Sequence, residues 1–532
     1  MKTLPLLSSL CSFARLGSSA FSVTALSLAL AFGAGLVAKP AVAQQLPSLG
    51  EVDGFTVGDE RRIGDQIARQ LYRDPDYIDD PVLQEYVEGI WHSLMTAAQK
   101  NGALGDSLEE QFAWQVFLGK DRTINAFALP GGYFGLHLGL INAVDSKDEL
   151  ASVMAHELSH VTQRHISRVV AQNARQTPLV IASMILGAIA ASQSPEGAQA
   201  VVAGGQALAI QNSLDFSRAM EQEADRIGFG LMVPAGFDPN GFVGMFNKLN
   251  QASSLNDRGA FPYLRTHPLS TQRLSDMQAR LGQEGRNVPV RMTLEHSIIV
   301  ARSRVLSLGK VDFLRTAMQA GSEVLANRTN ATPAEQAGRL YAAAMAAGQL
   351  READQARQFA NALLPLTQGD ASAHRLALLL NLELALASRD AQWGAQAMAQ
   401  LGDHARLRPE LFLRTQYAVD MPSSADTALV EGLTSQWQSW LTDHPRDAGA
   451  WQQLARLWTA KNQPLRAIRA EAEAQVARLD YEAAIDRFKA GQNMVRQMGG
   501  KADHVDASIL QSRLGAVMQL QRERDAALKA LK

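Results

Sequence analysis

The tightest constraint on this 532-residue chain lies in five residues, His156-Glu157-Leu158-Ser159-His160. Histidines four apart share a face only when the backbone between them is helical. Just upstream, Ser146-Lys147-Asp148-Glu149 has capping-box spacing, which predicts a helix running to about Arg168. On such a helix two imidazoles can hold one Zn²⁺ while Glu157 reaches a water on the ion. Zinc lowers that water's pKa toward ~7, and the carboxylate takes its proton as it attacks a peptide carbonyl. The plain alternative is a solvated helix face that carries two His and one Glu by accident.

The rest of the composition narrows what such a site can be made of. The chain has a single cysteine, Cys11, within the first 43 residues. There, Lys2 and Arg15 precede a small apolar run from Ala20 to Val37, and Ala41-Val42-Ala43 stands before Gln44. This pattern is expected to be a signal peptide cleaved after residue 43, the alternative being a membrane anchor. A mature chain without Cys11 has no thiol, so disulfides, thiolate catalysis and cysteine-ligated zinc are excluded. Any metal site must use His and carboxylates. Lys+Arg 51 against Asp+Glu 53 leaves no basic field, which excludes generic nucleic-acid binding.

A catalytic zinc site wants a third protein ligand. A second predicted helix, about Ala219 to Met232, carries Glu221-Gln222-Glu223-Ala224-Asp225. Glu221 and Asp225 share a face, so one can bind metal while the other hydrogen-bonds a ligand imidazole. Upstream, Asp80-Pro81 opens an amphipathic helix, and Phe112 to Leu118 and Asn125 to Leu129 read as strands. Tyr133 to Leu138, after the Pro130-Gly131-Gly132 turn, reads as a further strand or an extended edge. The edge formed by Asn125, Ala126, Phe127, Ala128 and Leu129 can pair with a substrate backbone, or it is an ordinary strand before a turn. His267 can donate to a developing oxyanion, fill the open metal position, or be a plain turn histidine. Arg273 can be an oxyanion donor, an acid's partner or surface. His165, nine residues after His156, faces away from the pair on an unbroken helix and reads as structural.

Gly282 to Pro289 breaks the pattern and divides the chain into a segment over 44–286 and an all-helical segment over 287–532. Around Trp451, Leu454, Ala455, Trp458 and Ala467, the spacing resembles a tetratricopeptide repeat, with Ala472, Ala484 and Phe488 in the next unit. Between the two metal-binding helices, Leu179 to Ala191 and Ala198 to Ile210 are uncharged apolar arms. Each is too short to span a bilayer, and a helical hairpin on the core is expected, with shallow membrane contact as the alternative.

His-Glu-x-x-His followed by Glu-x-Glu-Ala-Asp resembles the CAAX-prenyl-protease/HtpX-type family of zinc metalloproteases. Asn125 to Gly132 and Thr266-His267-Pro268 with Arg273 match further segments of that family in the same order, over about Gly50 to Leu281. The resemblance implies His156, His160 and Glu221 as ligands of one zinc ion and Glu157 as general base. It implies a mainly α chain: an α+β zincin-like domain with a small sheet, then all-α repeats. The leader and the repeats resemble a periplasmic subgroup, implying unfolded outer-membrane proteins and the β-barrel assembly machinery as partners. A chaperone or scaffold with a latent or structural zinc site is the second expectation.

Overall fold

Asp80 and Pro81 start a helix as the sequence predicts. The Asp80 carboxylate accepts the Leu83 N–H at 2.9 Å, and proline occupies the first turn, where no N–H is missed. The computed structural model describes residues 56–172, 217–254, 262–281, 292–402, 407–421 and 427–530. The expected leader, the arms at 179–191 and 198–210, and the break at 282–289 lie outside the described residues.

The N-terminal elements are α1 (Val57–Leu71), β1 (Tyr77–Ile78), α2 (Pro81–Lys100), α3 (Asp106–Gln111), β2 (Gln115–Gly119), β3 (Ala126–Leu129) and β4 (Tyr133–His137). The sheet order is β1-β2-β4-β3, with β2 and β4 parallel and the other pairs antiparallel. The segment after the Pro-Gly-Gly turn is therefore a central strand. Every residue of β4 is buried, as expected for a strand covered on both faces. Gly135 in β4 faces Phe127 of β3, whose ring would lie 2.2 Å from any added Cβ. One sheet face packs on α2 and the zinc-motif helix; on the other, Phe117, Leu129 and Tyr133 meet Ile63 and Ile67 of α1.

After α4 (Leu138–Ala143), the motif helix α5 spans Lys147–Thr162. Only half of the expected capping box forms. The Ser146 hydroxyl accepts the Glu149 N–H, while the Glu149 carboxylate turns to the Asp145 N–H at 2.6 Å. The helix also stops short of Arg168. Arg164 takes a left-handed φ of 51°, and a separate helix α6 (His165–Gln172) begins beyond it. Among the described residues, four helices follow: α7 (Arg218–Met232), α8 (Asn240–Ser254), α9 (Pro262–Thr266) and α10 (Thr271–Leu281).

The helical array begins with α11 (Leu294–Leu308), α12 (Val311–Leu325), α13 (Pro333–Gln349), α14 (Ala353–Thr367) and α15 (Ala371–Ser388). It continues through α16 (Ala391–Leu401), α17 (Arg408–Asp420), α18 (Thr427–Asp443), α19 (Ala448–Ala460), α20 (Pro464–Ala477), α21 (Tyr481–Met498) and α22 (His504–Ala530). Ala467, Ala472, Ala484 and Phe488 are all buried. One apolar cluster runs without interruption from Val82 of α2 through α5 to Met421 after α17. Three arginines of the array reach acids at the start of α2: Arg302 to Asp80, Arg375 to Glu85 and Arg408 to Asp79. Among the described residues, no helix is long and apolar enough to cross a membrane.

Candidate metal centre

His156, Glu157 and His160 sit on α5, which is buried from Glu149 to Thr162. Against it lies α7, where Glu221, Asp225 and Gly228 fall on one helical face. An added Cβ on Gly228 would stand 3.0 Å from the Ala155 carbonyl and the His156 nitrogen. The missing side chain lets the two helices approach closely enough for short carboxylates to reach the imidazoles. His267, just past α9, completes a buried group of His156, His160, Glu221 and His267, whose ligand atoms lie within 4.8 Å of one another.

The separations fit a cation. His156 Nε2 is 3.0 Å from His160 Nε2, 3.3 Å from His267 Nδ1 and 3.5 Å from a Glu221 oxygen. Glu221 Oε1 is 3.4 Å from His160 Nε2 and 3.0 Å from His267 Nδ1. Tetrahedral donors held at zinc distances of about 2.0–2.1 Å sit roughly 3.3 Å from each other. Imidazole nitrogens crowded around one carboxylate suit zinc, and neither calcium nor magnesium selects imidazole.

Charges around the group follow from burial and neighbours. Burial lowers His156, but Asp225 and Glu221 outweigh it and raise the imidazole to about 9. Burial pushes His160 well below its ordinary value. Glu221 is raised by burial, yet His267, His156 and His160 together hold it well below the usual carboxylate range. The proton kept on His156 is therefore one that a cation would replace. Asp225 Oδ1 lies 2.9 Å from His156 Nδ1.

Arg273 takes the position of an acid's partner. Its guanidinium grips Asp225 through two bonds of 2.6 and 2.7 Å, donates to the Pro268 carbonyl at 2.9 Å and lies 2.7 Å from Glu221. Its acceptors are thus two carboxylates of α7 and one backbone carbonyl.

Glu157 is fully buried, and burial raises its carboxyl above the ordinary value. Its Oε2 accepts the Ala128 N–H at 3.0 Å, and its Oε1 lies 3.4 Å from His267 Nε2. Among the described residues, β3 is an edge strand of the sheet and lies beside the motif helix. Ala128 already gives its N–H to Glu157, and the Asn125 carbonyl is engaged by the His137 N–H at 3.1 Å. Ala126 and Leu129 are buried, whereas Phe127 and Ala128 are half-buried. His267 stacks on Tyr263, with ring centroids 4.7 Å apart.

His165 corrects the sequence reading. Because α5 breaks at Arg164, the ring is carried back beneath His160, with the two Nδ1 atoms 2.8 Å apart. Its Nε2 faces Glu223 at 3.1 Å, and Arg168 donates to the same carboxylate oxygen at 2.9 Å. The helical angle places it elsewhere only on a continuous helix.

Comparison with known proteins agrees with this geometry. The model of peptidase family M48 matches residues 84–281, a span that includes the whole ligand group. Residues 84–281 are the chain's M48-like segment. The chain is 32% identical to the beta-barrel assembly-enhancing protease of Escherichia coli over 331 residues, 62% of this chain and 64% of that protein. Its Vibrio cholerae counterpart is 35% identical over 274 residues, 50% of this chain and 54% of that protein. The mitochondrial metalloendopeptidase OMA1 of Saccharomyces cerevisiae is 29% identical over 198 residues, 36% of this chain and 54% of that protein. The chain thus spans about half to just under two thirds of the length of these relatives. The matched span contains most of α2, strands β2 to β4 and all the residues converging on the candidate metal centre.

Proposed function

We propose that this chain is a zinc-dependent metalloendopeptidase of the periplasm. It degrades misfolded or stalled outer-membrane β-barrel proteins and assists their assembly, with the tetratricopeptide-like array docking partners and any membrane contact peripheral. The peptidase reading rests on one observation: His156, His160 and Glu221 converge at zinc-like spacing beside a buried Glu157. The substrate class is supported by the relatives named beta-barrel assembly-enhancing proteases, and the compartment by the composition of residues 1–43.

His156, His160 and Glu221 would hold one zinc ion. Bound there, zinc supplies Lewis acidity and a water of lowered pKa. Glu157 is the general base, taking a proton at Oε1 while the Ala128 N–H holds Oε2. Asp225 orients His156, and Arg273 keeps Asp225 ionised and in place. The free side of β3 aligns an extended substrate, whose carbonyl competes with Glu157 for the Ala128 N–H.

A second reading, a chaperone or scaffold with a latent or structural zinc site, is favoured by His267. Its Nδ1 joins the ligand group, and four protein donors close a zinc site. The deciding experiment is cleavage of an unfolded outer-membrane barrel protein by the zinc-loaded mature chain, beside a Glu157→Gln variant of equal zinc content. Cleavage lost only in the variant supports the peptidase. No cleavage by either protein favours the latent or scaffold reading.

A further inference from the structure

We infer that His165 and Glu223 form a proton-fixing relay that presents the bare Nε2 of His160 to the metal. This rests on the zinc-site reading above and adds two positioning residues to it. A carboxylate flanked by Arg168 accepts hydrogen bonds and donates none, so the Glu223 contact places the His165 proton on Nε2. A ring carrying one proton there leaves Nδ1 as an acceptor. The Nδ1···Nδ1 contact of 2.8 Å then requires the proton on His160, whose Nδ1–H is the donor. The proton of His160 is thereby held on the side away from the ligand group, and Nε2 is left with its lone pair toward His156 and Glu221.

The relay is built into the fold rather than lying on its surface. His165 and His160 are fully buried, and Glu223 is partly covered. The left-handed Arg164 makes the reversal that brings the two rings together, and its guanidinium is fastened to Glu60 of α1 at 2.9 Å. His156 and His160 are thus oriented by different means: one by the Asp225 carboxylate directly, the other by a carboxylate acting through a second imidazole. Outer partners of this kind set ligand orientation and typically change metal affinity about 10–100-fold when removed.

The test uses the full mature chain and three variants, His165→Phe, His165→Gln and Glu223→Ala, with Zn²⁺ affinity measured by chelator competition. Visible absorption of the Co²⁺ forms and unfolding of the metal-free proteins are read in parallel. Phenylalanine keeps the ring volume without an acceptor, so zinc should bind about 10–100-fold more weakly. Glutamine offers a carbonyl to His160 Nδ1–H and should recover much of that loss. Glu223→Ala, at a partly exposed position that spares the core, should weaken zinc and alter the Co²⁺ spectrum even if His165→Phe does not fold. Zinc affinity equal to the parent in the variants that fold, with only metal-free stability lowered, would overturn the relay. A parent chain that takes up neither zinc nor cobalt overturns the metal-site reading and the relay with it.

Discussion

The imidazole of His267 touches both halves of the candidate site, with Nδ1 among the candidate ligand atoms and Nε2 3.4 Å from Glu157. On the proposed mechanism, one side chain therefore occupies the position a substrate carbonyl needs and faces the carboxylate that takes the proton. His267→Ala is expected to raise cleavage of an unfolded barrel protein severalfold while zinc stays bound through His156, His160 and Glu221. Initial rates measured at equal zinc content check this; a fall in rate would make His267 an oxyanion donor instead. The residues around it differ in how readable they were. His156, Glu157 and His160 lie within one helical turn and a half, so their common face follows from local geometry. His165 depends on one left-handed residue, Arg164, and no periodicity announces a break there.

At the level of elements, α11 is tied to the M48-like segment through His296. Tyr86 of α2 donates its hydroxyl hydrogen to Nδ1 at 2.8 Å, and Nε2–H donates to the Val144 carbonyl at 3.2 Å. Burial lowers this imidazole to about 4, against about 6.5 in an unfolded chain. Because the folded value is the lower one, the associated stability is present above pH 6.5 and is lost as pH falls toward 4. The shift corresponds to about 3 kcal/mol. Urea midpoints measured from pH 7.5 to 4 should drop through this window, and His296→Gln should flatten the slope. Strand positions also show what patterning can carry. Alternation found β3, but β4 is buried on both faces, and a short apolar run after a turn is ambiguous without knowing its neighbours.

Across the whole molecule, three arginine–acid pairs and one continuous core bind the array to the start of α2. Arg302 is central: it is buried, bonds Asp80 at 2.6 and 2.8 Å, and reaches Tyr341 and Glu383 at 3.0 and 2.7 Å. Arg302→Ala leaves the α2 cap without its partner and is expected to destabilise by about 3–5 kcal/mol. Denaturant unfolding followed by tryptophan fluorescence and far-ultraviolet dichroism checks this. The parent should show coincident transitions for the M48-like segment and the array as far as α17, because one apolar cluster spans both. An array that melts alone in the parent would contradict that continuity.

Periodicity, spacing and residue chemistry determined much by themselves. A single cysteine, at position 11, left His and carboxylates as the metal ligands available among the described residues, helical spacing paired His156 with His160, and Asp80-Pro81 marked a helix start. The Glu221–Asp225 face was legible too, since both residues sit one turn apart on a predictable helix. Only the tertiary structure decided that Arg273 grips Asp225, that Ala128 holds Glu157, that His267 enters the ligand group and that His165 stands behind His160. The physical reason is the range of the forces involved. Turns and helices answer to neighbours a few residues away, whereas these contacts join segments brought together only by packing, through Gly228 and the break at Arg164.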